Sequence, residues 1–206
     1  MSNPRWLEWG QRLQALAQSG LNYTKSPFER ERYEAIRKIA CEMIVTQSDL
    51  EFPIVQNIIK SEGGYATPKL DVRAVIIRDD SILLVREQVD GRWSLPGGWI
   101  DVNDSPGRAA EKEVFEETGY RVRSKKLLAV WDRNLHGHPP FIFHLFKLVF
   151  LCEILGGQPT TSIETTAVQF FQEDELPPLS LTRTTPEQIE RLFEHYRHPD
   201  WPSEFD

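Results

Sequence analysis

The sequence predicts an α/β protein in which a mixed sheet is held between helices and is preceded by a small all-helical unit. Three observations carry this reading. Residues 3–62 place apolar side chains at helical spacing without a strand-like run. Residues 65–206 interleave β-branched apolar runs with one helix-like stretch in the middle and another near the end. Gly63, Gly64 and the Thr67-Pro68 pair punctuate the junction. The chain therefore divides into a helical domain, 1–64, and a sheet-bearing domain, 65–206.

In the helical domain, Asn3 is expected to cap a first helix with Pro4 in its first turn, and Trp6, Trp9, Leu13 and Leu16 to form its inner stripe until Gly20 ends it. Ser26, Pro27 and Glu29 have capping-box spacing for a second helix, whose stripe runs through Tyr33, Ile36, Ala40, Met43 and Ile44. A third, shorter helix carries Val55, Ile58 and Ile59. Amphipathic helices of this length bury little alone, so they need each other, the following domain or a second chain.

Beyond the junction, residues 70–77 and 82–85 read as a β-hairpin about the turn Asp79-Asp80-Ser81. A short element at 92–95 leads into Pro96-Gly97-Gly98. Residues 127–131 and 141–154 read as strands, the second apolar on both faces and hence central, ending at Gly156-Gly157. Residues 168–172 supply the last strand. Thr185, Pro186 and Gln188 open a closing helix with Ile189, Leu192, Phe193 and Tyr196 inside, and the tail beyond it reads as polar and loose.

Composition excludes several classes of function. With 206 residues, 40% of them hydrophobic, the chain can bury one good core plus a smaller unit. A net charge of −7 argues against nucleic acid as a stable partner and against an anionic membrane surface. Cys41 and Cys152 suggest neither a disulfide framework nor a zinc site, so a reducing cytoplasm is expected. The start MSNPRWLEWGQ lacks the apolar core of a signal peptide, and the apolar run 141–155 is broken by His144, Lys147 and Glu153, so no membrane span is expected.

The chemistry concentrates in residues 97–120. A helix from Ser105-Pro106 to a stop at Gly119 places Glu113, Glu116 and Glu117 at i, i+3 and i+4, on one face. Like charges so spaced cost about 0.2–0.5 kcal/mol per pair in an isolated helix, so the trio calls for a cation. Oxygen ligands select a hard ion, Mg²⁺ or Mn²⁺. Ala109, Ala110, Val114 and Phe115 would hold the helix on the sheet while the glutamates face a cleft.

This stretch resembles the Nudix box, the signature of Nudix hydrolases: G, five residues, E, seven residues, then R-E-U-x-E-E-x-G-U, with U a bulky apolar residue. Gly98, Glu113, Val114, Glu116, Glu117, Gly119 and Tyr120 fall in register without a gap. Asp104 stands where the box has Glu, and Lys112 where it has Arg, replacing a rigid fork by a flexible point charge. The resemblance implies the Nudix α/β/α sandwich and hydrolysis of a diphosphate linkage. It implies divalent metal held by Glu113, Glu116, Glu117 and the Gly97 carbonyl, with Lys112 near the catalytic carboxylates. A glutamate of a later loop, Glu164 here, or Glu116 or Glu117 itself would accept the proton.

The N-terminal segments WLEWGQRLQALAQSGLNYTK and ERYEAIRKIACEM, with the junction GYATPKLDVRAVI, resemble the helical extension of a bacterial Nudix subgroup. Its members include CDP-choline pyrophosphatase-like and ADP-ribose pyrophosphatase-like enzymes. The resemblance implies a homodimer and favours CDP-choline or ADP-ribose as substrate; an RNA-end or oligonucleotide substrate stays open as a minor activity, with the absence of a basic stripe counting against long nucleic acid. A non-catalytic nucleotide sensor built on the same fold is the alternative.

Arg73 and Arg86 lie on the strands before the box and are candidates for binding substrate phosphate. Trp99, Trp131 or Tyr65 could stack a base. His136 and His138, with His144 nearby in sequence, resemble a metal cluster, but their HGHPP context reads more simply as a polar loop.

Overall fold

The computed structural model describes residues 4–46 and 51–206. Contacts divide the chain into two compact units: one of residues 69–139 and 145–206, the other of residues up to Pro68 together with 140–144.

The helical unit holds α1 (Arg5–Tyr23), α2 (Pro27–Thr46) and α3 (Phe52–Ser61). Its core gathers Leu7, Cys41, Ile44, Val55 and Ile59, and Ile142 from the later segment packs on it. That segment is fixed by Gln11, whose Nε2 donates to the Phe141 carbonyl at 3.0 Å. The expected cap Asn3 lies outside the described residues; Pro4 occupies the cap position.

Two expectations about α1 are corrected. Gly20 does not end the helix, which runs on to Tyr23. A Cβ at Gly20 would lie 2.4 Å from the Tyr33 ring, so this glycine permits close approach of α2. The stripe, too, is rotated: Leu7, Gly10, Ala17 and Gln18 are buried, whereas Trp9 and Leu16 are 51% and 65% exposed.

The larger unit contains two sheets. One has the order β1 (Lys69–Val75), β6 (Leu145–Gly157), β5 (Tyr120–Asp132), β8 (Glu204–Phe205). It is mixed, since β1 runs parallel to β6 while β5 runs antiparallel. The other is built on β3 (Ser81–Glu87), which pairs antiparallel with β7 (Thr165–Gln172), β2 (Ile77–Arg78) and β4 (Trp93–Ser94).

The expected 70–77 strand is thus two strands in two sheets, broken at Ile76, and the hairpin is only the β2–β3 pair. Its turn is as expected: Asp79 and Asp80 have φ of 51° and 55°, the left-handed pair that closes tight hairpins. The central strand begins at Leu145 rather than 141 and lies between β1 and β5, as its apolar faces require.

One main core lies between the sheets, where Val75, Ala129, Trp131 and Val149 meet Ile82, Leu84 and Leu95. Helix α5 (Pro186–Arg197) closes it with Ile189, Leu192 and Phe193. Thr185 and Gln188 form the anticipated capping box, but Tyr196 is 38% exposed and not part of the inner stripe. The expected loose tail is ordered: Glu204 and Phe205 pair with Ala129 and Val130 on the edge of β5. On the other face, Ala109 and Ala110 of α4 (Pro106–Thr118) pack on Val72 of β1.

Candidate active site

Helix α4 starts after Ser105, with Pro106 in its first turn, and ends where Gly119 takes φ 74°. A Cβ at Gly119 would lie 2.5 Å from the Gln158 carbonyl, so the stop requires glycine. The three glutamates do not share one environment. Glu117 is on the buried stripe with Ala110 and Val114, Glu113 is half-buried, and Glu116 is exposed. Phe115, expected to pack inward, is 55% exposed, because the helix is turned to bring Glu117 onto the sheet side.

The loop before α4 receives Glu117. Pro96 and Gly98 carbonyls accept from Ala74 N–H and Val72 N–H of β1, each at 2.9 Å. Between them the Gly97 N–H donates to Glu117 Oε2 at 2.9 Å. Gly97 has φ 140°, and a Cβ there would lie 2.0 Å from the Val72 carbonyl oxygen. Gly98 is less confined, since its Cβ would meet only the Glu113 carboxylate, at 3.0 Å. Thr165 Oγ1 donates to the Glu117 carbonyl at 2.8 Å, tying the end of α4 to β7.

Burial raises the Glu117 carboxyl to about 8 against the opposing pull of Arg73. Glu113 is pushed up to about 7 by burial and then by Glu116, again opposed by Arg73, with Glu164 adding to the rise. Glu164 is exposed, and its carbonyl accepts from Gln88 N–H at 2.8 Å, which ties its loop to the end of β3.

Among the described residues no three acidic, His or Cys side chains converge into a ready-made ligand set. The donor chemistry nonetheless fits a hard divalent cation. Glu113 and Glu117 lie one turn apart, supply oxygen only, and are driven toward the neutral form by burial and by neighbouring carboxylates. Added positive charge is what would restore their ionised form.

Several predicted residues stand elsewhere. Arg73 is buried and is not a free phosphate ligand: Nε and Nη2 donate to Asp71 at 3.0 and 2.8 Å, and Nη1 to the Leu95 carbonyl at 3.0 Å. Trp131 is 3% exposed and its indole N–H donates to Glu204 at 2.9 Å, so it is core rather than a stacking platform. Trp99 and Tyr65 are 47% and 66% exposed. Arg86 is exposed, with Nε donating to the Gly91 carbonyl. Lys112 is exposed and bonds Asp101 at 2.6 Å, with Asp104 at 3.7 Å, and acts on Glu113 only as a minor opposing charge.

The histidines go to different partners. His136 bonds Asp206, while His138 donates through Nδ1 to the Leu181 carbonyl at 2.7 Å. A cavity of ≈ 420 Å³ between Trp131, His136 and the first turns of α5 has none of the box carboxylates in its wall.

Sequence reasoning missed Asp71, Lys147 and Glu87, all buried. Lys147 Nζ donates to Asp71 Oδ2 at 2.6 Å, and Glu87 accepts from Ser94 Oγ at 2.6 Å and from Arg183 at 3.0 Å. The i, i+2 spacing of Asp71 and Arg73 on one strand was the available signal, since such residues share a face.

An α/β sandwich whose glycine loop seats a glutamate of the following helix places this protein among the Nudix hydrolases, and comparison with known proteins agrees. The chain belongs to that family: residues 67–193 match the NUDIX domain, and residues 4–59 match a UDP-X-like, N-terminal oligomerisation domain. It is 45% identical over 202 residues to YjhB of Bacillus subtilis (strain 168), provisionally named an ADP-ribose pyrophosphatase, covering 98% of this chain and 97% of that one. A solved UDP-X diphosphatase is 40% identical, covers 100% of both chains and superposes with a TM-score of 0.65. An ADP-ribose pyrophosphatase from Streptococcus suis 89-1591 is 44% identical, spans 68% of this chain and 100% of its own, and gives a TM-score of 0.62. Among the described residues no helix is long and apolar enough to cross a membrane.

Proposed function

We propose that this chain is a homodimeric, Mg²⁺-dependent pyrophosphatase that splits nucleoside diphosphates linked to a second moiety into a nucleoside monophosphate and the phosphorylated moiety. The observation that carries this reading is the seating of Glu117 on the Gly97 N–H beside a half-buried Glu113. The names of the similar proteins favour ADP-ribose or a UDP-linked compound. CDP-choline, implied by the N-terminal resemblance, belongs in the same test.

Glu113, Glu116 and Glu117, with the Gly97 carbonyl, would hold the metal, and Mn²⁺ would serve in place of Mg²⁺. A bound ion supplies charge neutralisation of the diphosphate and acidifies water. The chain's own part is positional. The β1 amides fix the loop, Gly97 N–H holds the Glu117 carboxylate and Thr165 fixes the end of α4, so Glu117 is seated before charge develops. The attacking water gives its proton to Glu164 as its oxygen bonds phosphorus. The bridging P–O bond then breaks, its electron pair leaving with the second phosphate. Trp99 is the candidate platform for the base and Arg86 for the outer phosphate, both being exposed.

The dimer reading rests on α1, where Trp9, Leu16 and Tyr23 recur every seven residues and are 51%, 65% and 68% exposed. We place the protein in the cytoplasm, consistent with two buried, unpaired cysteines.

The test is product identification after incubation with Mg²⁺ and ADP-ribose, UDP-linked sugars, CDP-choline or nucleoside triphosphates, with chelator as control. Metal-dependent release of a nucleoside monophosphate and a sugar or choline phosphate supports the reading. Tight nucleotide binding without turnover would instead make the protein a sensor.

A further inference from the structure

The box places Lys112 one residue before Glu113, yet its ammonium is turned outward onto Asp101 and Asp104. A cation rigidly linked to Glu117 comes from β1 instead. Asp71 and Arg73 alternate onto the same face of that strand, and Lys147 stands directly across from Asp71 on β6. All three side chains are buried.

Their hydrogen bonds form a continuous line. Lys147 Nζ holds Asp71 at 2.6 Å, and Asp71 accepts the Arg73 fork through both carboxylate oxygens. The third guanidinium nitrogen, Nη1, donates to the Leu95 carbonyl at 3.0 Å. Two residues on, Gly97 lies against the Arg73 backbone, where an added Cβ would be 3.0 Å from Arg73 Cα, and its N–H holds Glu117. The Leu95 N–H is also tied, to Thr184 Oγ1 at 3.1 Å. Loop 95–97 is therefore clamped from below by a guanidinium whose own orientation is fixed at two points.

We infer that Arg73, locked by Asp71 and Lys147, is a positioning residue that sets the Gly97 loop and through it the Glu117 carboxylate. Arg73 touches no substrate in this role. A lysine there keeps the charge but cannot bond Asp71 through two nitrogens and Leu95 through a third. The inference rests on the proposed reading of Glu117 as a metal-holding carboxylate.

The test compares wild-type protein, Arg73→Lys and Asp71→Asn by Mn²⁺ titration, following the free-ion electron paramagnetic resonance signal, and by steady-state kinetics on ADP-ribose. Thermal melting identifies folded variants. Loss of a supporting contact of this kind costs about 10–100-fold in metal affinity or activity, so Arg73→Lys should weaken Mn²⁺ binding about tenfold and lower kcat with KM unchanged. Asp71→Asn, which loosens the fork and keeps the arginine, should move both quantities in the same direction and carries the test if Arg73→Lys does not fold. A raised KM with Mn²⁺ affinity unchanged would overturn the inference and make Arg73 a substrate ligand. Unaltered affinity and kinetics would overturn it as well. Wild-type protein that takes up no Mn²⁺ would overturn the metal reading beneath it, whatever the variants do.

Discussion

At the scale of single residues, glycine and histidine mark where the fold is least tolerant. Gly97 combines a φ of 140° with a Cβ position 2.0 Å from a backbone oxygen, and neither a rotamer change nor a flexible neighbour can relieve that contact. Gly97→Ala should cost about 2–4 kcal/mol in chemical denaturation, together with the bond to Glu117. His138 gives a pH prediction. Burial, and then the charge of Lys147, pushes it down from 6.5 to about 3, so the folded state keeps a neutral ring where the unfolded chain takes up a proton. Between those values the unfolded state binds more protons, and stability falls as pH falls, by at most about 1.4 kcal/mol per pH unit from this group. Denaturation midpoints measured from pH 7 to pH 4 should drop less steeply for His138→Gln. Equal slopes would show that the ring does not carry the effect.

At the scale of elements, the bounds of α4 and the cap of α5 were legible because Pro, Gly and capping-box spacing act locally. Thr185 both starts α5 and faces the core, and Thr185→Ala should cost about 1 kcal/mol, measured by urea denaturation. The break between β1 and β2 was not legible. Residues 71–76 are all buried, and the run Ala74-Val75-Ile76-Ile77 crosses from one sheet to the other without a polar or turn residue to mark the break. The β8 strand was hidden for a different reason, since two residues gain their pairing only from Ala129 and Val130, far back in the chain. On α1, the aromatic stripe was read as inward because hydrophobic spacing cannot say which apolar face meets its own core and which is left outside.

At the scale of the molecule, the site was half legible. Spacing placed the three glutamates on one helix, but not that Glu117 would be buried and Glu116 exposed, which depends on how α4 rotates on the sheet. The same gap hid Asp71 and Lys147, whose partnership exists only once β1 and β6 lie side by side. The exposed heptad of Trp9, Leu16 and Tyr23 carries the prediction for assembly. Leu16→Asp should keep its helix content and shift sedimentation from dimer to monomer, while an unchanged coefficient would place the interface elsewhere. The central claim, that a metal held by the α4 carboxylates drives diphosphate hydrolysis, is tested most directly by Mg²⁺-dependent turnover of ADP-ribose in wild-type protein and Glu117→Gln side by side. We predict a loss of about 100-fold or more in kcat with nucleotide binding retained; turnover equal to wild type would contradict it.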